Sequence, residues 1–364
     1  MDQLLTHRFG ANYTPTRNWF HCWNDFDAAS ISRDLDAIAG LGLDHLRMMT
    51  IWPYFQPDAT WVSPAHLERL DAFLTLAGER NLDIQVVMLN GWMSGYSYRP
   101  VYVDNARFYT SPQEFAKQSL YFREVAPVVN AHANFLGFDL GNEISCCWSS
   151  GTDLAIGDAW YERIADLMDE VSPGRIHVNG EGHGPWFYQE TFSPAKLATR
   201  PKIVPLHCWI YFTEALKRGG PLDPPCARLA AGMAALARAH AGDPTKPIWV
   251  QEFGACSEWI GAELLSPFTE AIVTEAIREG VSWFTWWCSH DLDRKFSFAS
   301  LEYDLGLLTV DNKVKPHGLA YKALADAYRG KPVSLDRAKA TALPPPTQLN
   351  MDATWAWLLD WMGR

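Results

Sequence analysis

Eight short apolar runs recur between His7 and Ser289, and each reads as a strand buried on both faces rather than one of alternating polarity. They are HRFGANYT from His7, HLRMMTIW from His45, DIQVVMLNG from Asp83, FLGFDLGNE from Phe135, RIHVNG from Arg175, KIVPLHCWIY from Lys202, KPIWVQEFG from Lys246 and VSWFTWWCS from Val281. The longer segments between them place apolar residues at helical spacing. Asp27 is positioned to cap a helix that presents Ile31, Leu35 and Ile38, and Ser63 followed by Pro64 opens another that presents Leu67, Leu70 and Leu74. Further helices are expected over 111–130, 155–171, 227–240, 266–279 and 317–328. Strand followed by helix, repeated around eight strands, predicts an α/β chain folded as a (β/α)8 TIM barrel over residues 1–330. A doubly wound sheet is the competing fold, but no glycine-rich phosphate loop follows the first strand. The stretch GLGLDHL at 40–46 lies between a helix and a strand, the wrong order for such a loop.

Residues 331–364 form a short C-terminal extension. TALPPPTQLN is a proline-broken linker, and Trp355, Leu358, Leu359 and Met362 share one face of a terminal amphipathic helix. That helix is expected to pack on the barrel or on a partner subunit, where it would join a homo-oligomer.

Composition narrows the setting. The chain has 364 residues, 48% of them apolar and 20% charged, enough for a sizeable core. Its net charge of −11, with no run of Lys or Arg, argues against nucleic acid and offers no handle for an anionic membrane. The N-terminal MDQLLTHRFG has neither the basic region nor the apolar core of a secretory signal, and no stretch is long enough to span a membrane, so a cytoplasmic location is expected. Seven cysteines match no zinc spacing; Cys208, Cys256 and Cys288 lie in apolar runs where free thiols act as small hydrophobes. Aromatic content is the unusual feature, at 13% with 17 Trp, more than a core alone requires and suited to stacking on the flat apolar faces of sugar rings.

In such barrels the reactive groups collect at the C-terminal ends of the strands. The polar and aromatic residues ending these runs are Asn12 and Tyr13, Arg47, Asn90, Asn142 and Glu143, Asn179 and Glu181, His207 and Tyr211, Glu252, and Trp286, Trp287 and His290. Strand ends are commonly polar because they approach water, yet that reading weakens when two Glu and an Arg all end strongly apolar runs. Glu143 and Glu252 end the fourth and seventh strands, which face each other across the mouth of an eight-stranded ring. Paired carboxylates are the machinery of glycoside hydrolysis: one is protonated to expel the leaving oxygen, the other ionised to attack or to activate water. Metal binding is the rival use of two acids, but only His207 and His290 stand among the strand ends as further ligands, so neither a metal nor another cofactor is expected.

LGNE ending the fourth strand and QEFG ending the seventh, with Arg47 in GLDHLRM and His207 in LHCWIY, resemble the motifs of the retaining (β/α)8 glycosidases, particularly glycoside hydrolase family 5. The resemblance runs from HRFGANY through WFTWWCSHD. It implies that Glu143 is the general acid/base and Glu252 the nucleophile, that Asn142 bonds the sugar 2-hydroxyl, and that Arg47 holds the nucleophile ionised while Glu143 stays protonated. Tyr211, or Trp209 in its place, would approach the nucleophile. Trp286 or Trp287, with Trp287 preferred, would form the platform beneath the sugar, since neighbours in a strand face opposite ways. The chain departs from the family pattern at HCW, where His-x-Tyr is usual, and at LNGWMSG, where Asn90 and Trp92 stand near the usual place of a His.

The opening HRFGANYTPTRNWFHCW and the later IWPYFQPD resemble the β-mannosidase branch of that family, which acts on short mannosides such as mannosyl-β-1,4-N-acetylglucosamine. The resemblance therefore implies an exo-acting β-mannosidase with a small oligosaccharide substrate. An endo-β-1,4-mannanase, a β-glucanase or a β-glucosidase is the alternative within the family, and a sugar-binding barrel without turnover the alternative outside enzymes.

Overall fold

The computed structural model describes residues 3–94, 96–188, 190–296 and 300–364. Met1 and Asp2 of the N-terminal stretch and Gly95, the last residue of LNGWMSG, lie outside the described residues. All eight apolar runs form strands: β1 (Arg8–Asn12), β2 (His45–Met49), β3 (Asp83–Val87), β4 (Phe135–Asn142), β5 (Val178–Gly180), β6 (Val204–His207), β7 (Ile248–Phe253) and β8 (Trp283–Trp286). They pair in parallel in the order β5-β4-β3-β2-β1-β8-β7-β6. The terminal strands β5 and β6 lie side by side with Cα atoms within 8 Å, closing the sheet into the expected barrel.

Helices α1 (Ala28–Gly40), α2 (Pro64–Gly78), α3 (Pro112–Asn130), α4 (Leu154–Val171), α5 (Pro194–Thr199), α6 (Leu229–Ala241), α7 (Leu265–Arg278) and α8 (Pro316–Tyr328) fill the outer layer. Their starts follow local chemistry. Asp27 Oδ1 accepts from Ser30 N at 3.0 Å, and Ser111 Oγ accepts from Glu114 N at 3.4 Å, each satisfying a first-turn amide that has no partner within its helix. Ser63 makes no such cap; its hydroxyl lies 2.8 Å from His66 Nδ1, and the fixed φ of Pro64 starts α2 instead. The sequence pattern predicts no helix between β5 and β6. The six-residue α5 there is too short to show a period and is marked only by its Ser193 cap.

Inside the barrel the strand residues form layers. Leu136, Val178, Ile203, Trp249 and Trp283 make an apolar floor separate from the main core. Above it His45 Nε2 and Trp249 Nε1 both meet Thr285 Oγ1, at 2.7 and 2.6 Å. The top layer is polar and opens to the mouth.

The terminal helix α9 (Met351–Met362) packs on α6, on the short helix Gly184–Phe187 after β5 and, through Trp355, on the loop after β6. Its buried face is Trp355, Leu358, Trp361 and Met362, whereas Leu359, expected on that face, points outward. Gly232 of α6 makes the room, since a Cβ there would stand 3.0 Å from Leu358 Cδ2. Trp355 Nε1 donates to Thr213 O at 2.7 Å, and the Arg228 guanidinium lies 4.8 Å above the Trp361 ring. No helix among the described residues is long and apolar enough to cross a membrane.

Candidate active site

Arg47 organises the upper layer. It projects from β2 into the lumen, fully buried, and its guanidinium donates to Asp139 Oδ2 (2.8 Å), Asn12 Oδ1 (3.1 Å), Glu252 Oε1 (2.5 Å) and Asn142 Oδ1 (2.9 Å). A buried charge is tolerable only when paired and hydrogen-bonded, and here β1, β4 and β7 supply the partners. Asp139 is held from its other side by the Gly180 amide at 2.9 Å. A side chain at Gly180 would collide with Gln251 Oε1, Asp139 Oδ2 and Arg47 Nη2, so the close packing of β5 on this network requires glycine.

The two candidate carboxylates meet at one imidazole. His207 Nδ1 at the end of β6 lies 2.8 Å from Glu143 Oε1 and 3.4 Å from Glu252 Oε2, and one polar side-chain atom from each of the three residues falls within 4.8 Å of the others. The other ring nitrogen faces Gln251 Oε1 at 3.2 Å. Glu143 is the first residue past β4 and holds a left-handed backbone, φ +48° and ψ +52°, rarely adopted by a residue with a side chain. Its amide donates to Gly180 O at 2.8 Å, and this strained turn aims the carboxylate into the mouth instead of along the strand.

Burial works upward on Glu143, but the His207 hydrogen bond and charge, helped by His183 and Arg47, bring it below its ordinary value. Burial also pushes Glu252 up; His207 and Arg47 oppose, the neighbouring Glu143 charge adds, and Glu252 ends above its ordinary value. His207 is lowered by burial and raised by both carboxylates, the latter prevailing. This order is the reverse of that implied by the family roles. The cause is geometric: His207 stands closer to Glu143 than to Glu252, and Arg47 divides its charge between Glu252 and Asp139.

Above the pair lies a cavity of about 630 Å³ lined by Trp92, Ser94, Asn142, Glu143, Cys146, His183, Trp209, Phe212, Glu252, Trp287, Leu301 and Glu302. Three loops at the C-terminal ends of the strands are joined by aromatic packing. Trp19, after β1, has ring centroids 5.3 Å from Tyr96 and 6.1 Å from Tyr98, after β3, and 6.0 Å from Phe296, after β8. Lys295 Nζ donates to Asn18 Oδ1 at 3.0 Å across the same seam.

The residues singled out from the sequence fall into two groups. Glu143, Glu252, Asn142, Trp92, Trp209 and Trp287 line the cavity, with Arg47 and His207 directly behind the carboxylates. Of the adjacent tryptophans, Trp287 faces the cavity, while Trp286 is fully buried, packs on Phe253, His317 and Tyr321, and donates from Nε1 to Leu305 O at 2.9 Å. Tyr211 is 54% exposed and stacks on Trp259 outside the cavity lining, and the polar contacts of Glu252 are to Arg47 and His207 instead. Tyr13 turns away, stacking on Phe73 and donating to Asp34 Oδ2 at 2.9 Å, and Asn90 is buried with its amide donating to Thr50 O. Asp139, Gln251, His183 and Glu302 were missed. Asp139 had a signal: a charged residue within a fully buried strand must have a partner. His183 and Glu302 had none, because they lie on loops.

No family model and no curated protein sequence matches the chain. Solved structures do. A Glu-to-Ala variant of GH5_18 from Streptomyces cattleya, in complex with Manβ1-4GlcNAc, has TM-score 0.89 at 33% identity, covering 98% of this chain and 91% of that one. GH5_18 from the same organism in complex with GlcNAc gives 0.87 at 33% identity, covering 98% and 90%. A GH5_18 from Bifidobacterium longum subsp. infantis gives 0.85 at 30% identity, covering 91% and 81%.

Proposed function

The chain belongs to glycoside hydrolase family 5 and is a glycoside hydrolase, and from that premise we propose that it is a retaining, exo-acting β-mannosidase that cleaves short β-mannosides such as Manβ1-4GlcNAc. The observation that carries the mechanism is the approach of Glu143 and Glu252 oxygens to within 4.8 Å. Retention by a covalent intermediate needs carboxyl groups about 5 to 5.5 Å apart, whereas inversion leaves room for a water between them at about 6.5 Å or more.

In this reading Glu143 donates its proton to the leaving glycosidic oxygen while Glu252 attacks the anomeric carbon, giving a glycosyl ester on Glu252 and a free reducing-end sugar. Glu143, now ionised, takes a proton from water; the resulting attack returns Glu252 and releases the sugar with its configuration retained. In this reading the proton that Glu143 donates is supplied by His207 Nδ1, one hydrogen bond away at 2.8 Å. Its transfer leaves the charge of the pair unchanged, while Arg47, bonded to Glu252 Oε1, holds Glu252 as the anion. Asn142, fixed between Arg47 Nη2 and Trp92 O, is placed for the hydroxyl next to the reacting carbon, and Trp287 is the flat surface beneath the ring. Exo action over an endo-mannanase is supported by the likeness to a GH5_18 enzyme in complex with the disaccharide Manβ1-4GlcNAc.

The test is a panel of aryl β-glycosides and Manβ1-4GlcNAc, with the first-formed sugar anomer read by NMR. Cleavage of β-mannosides with β-mannose appearing first is expected. α-Mannose appearing first refutes retention, and cleavage confined to other sugars refutes the specificity. Glu143→Ala with azide should yield the β-glycosyl azide, a product that a nucleophile variant cannot form with that configuration.

A further inference from the structure

The double displacement uses two carboxyl groups, yet the cavity holds a third. Glu302 stands on the short 3-10 turn Ser300–Tyr303 after β8, half-buried, and lines the same cavity as Glu143 and Glu252. Its Oε2 accepts a hydrogen bond from Trp287 Nε1 at 3.3 Å, which ties it to the edge of the indole that faces the cavity. Among the described residues no Lys or Arg pairs with it. Burial raises its pKa to about 7, opposed by the hydrogen bonds of Trp287 and Ser94 and assisted by the charge of Glu252. A carboxyl group kept in a cavity without a cation has a desolvation cost that a hydroxyl-rich ligand can offset, because a carboxylate offers two oxygens to two neighbouring hydroxyl donors.

We propose that Glu302 is a specificity-determining residue that accepts hydrogen bonds from hydroxyls of the glycone on the side of the ring away from the reacting carbon. Asn142 and Glu252 share contact with Arg47, whereas Glu302, on the same cavity, is held instead by Trp287 Nε1 and Ser94. The consequence is a rule about chain ends. A further sugar attached at one of those hydroxyls replaces a donor by an ether oxygen and sets two acceptors against each other, so the carboxylate rejects an internal residue and selects a terminal one. This inference rests on the glycosidase reading above and supplies the residue that would enforce exo action.

The experiment compares kcat/KM and KM of the parent, Glu302→Gln and Glu302→Ala on an aryl β-mannoside and on its 3-, 4- and 6-deoxy analogues. Expected for the parent is a loss of about 100-fold or more on at least one deoxy analogue, the penalty for leaving a cavity acceptor unpaired once the ligand has displaced water from it. In Glu302→Ala the parent sugar loses a similar factor while that analogue loses little, so the two changes are not additive; Glu302→Gln, which keeps one acceptor, falls between. Additive effects on all three analogues overturn the proposal, as does a Glu302→Ala variant with unaltered kinetics. A loss of rate shared equally by every substrate marks a folding defect or a general role and also overturns it. If β-mannosides are not substrates, the deoxy series of whichever aryl glycoside is cleaved applies the same criterion, so failure of the sugar assignment and failure of the Glu302 role give different results.

Discussion

Replacing His207 by Gln should move the whole pH–rate profile toward higher pH. His207 Nδ1 lies 2.8 Å from Glu143 and 3.4 Å from Glu252, so a charge on its ring acts on both carboxylates at once. At an effective dielectric of about 20 the gross Coulomb attraction is about 6 kcal/mol at the first distance and about 5 kcal/mol at the second, before desolvation is subtracted. Glu143 must be protonated to act as the acid, and His207 pulls its pKa down; without His207 it keeps its proton to higher pH and the alkaline limb moves up. Glu252 must be ionised to attack, and His207 pulls its pKa down as well; without His207 the acidic limb also moves up. The shorter contact makes the alkaline limb move further. The assay is kcat/KM on an aryl β-mannoside across the stable pH range. On the parent's alkaline limb the variant should retain at least about tenfold more of its own maximum than the parent does, each factor of ten corresponding to about 1.4 kcal/mol. Limbs that stay in place would show that His207 is neutral in both states, and limbs moving in opposite directions would show that it does not bridge the pair.

Three further outcomes follow from the packing. Gly180→Ala should lower kcat about 100-fold or more while the protein stays folded, since the added Cβ displaces Arg47, Asp139 or Gln251 and a displacement of about 1 Å at a reacting group is that costly; circular dichroism beside the kinetics checks it. Trp355→Ala should cost about 3 to 5 kcal/mol in denaturant unfolding, because a fully buried indole is lost together with its bond to Thr213 O, and KM should rise because Thr213 in turn donates to Trp209 O of the cavity wall. Glu181 is held protonated by burial, with its pKa raised from 4.5 to about 8. Between those values the folded chain binds the proton and the unfolded chain does not, so stability falls as pH rises, by about 1.4 kcal/mol per pH unit. Glu181→Gln should remove that slope, read as the difference in denaturant midpoint between pH 5 and pH 8.

The strands were legible because each is a continuous apolar run whose burial on both faces leaves little other use for it. The two candidate carboxylates stood out for the opposite reason: Glu143 and Glu252 break such runs at their ends, where a charge is expensive unless something is done with it. The helix α5 was not legible, because six residues are too few for a 3.6-residue period to show. Nor was the facing of α9, where Leu359 and Trp361 are both apolar and only the groove at Gly232 selects which one is buried.

By itself, then, the order of residues determined the barrel, the strand ends and the pair of acids that face each other, since those depend on local burial and on a count around a ring. Tertiary structure decided what the pair experiences. That Arg47 is divided between Asp139 and Glu252, that His207 stands nearer Glu143, that Trp287 and not Trp286 meets the cavity, and that Glu302 reaches it from a loop after β8 all depend on distances across the barrel mouth. Electrostatic and hydrogen-bond energies change steeply over a few tenths of an ångström, and no spacing along the chain encodes a separation through space.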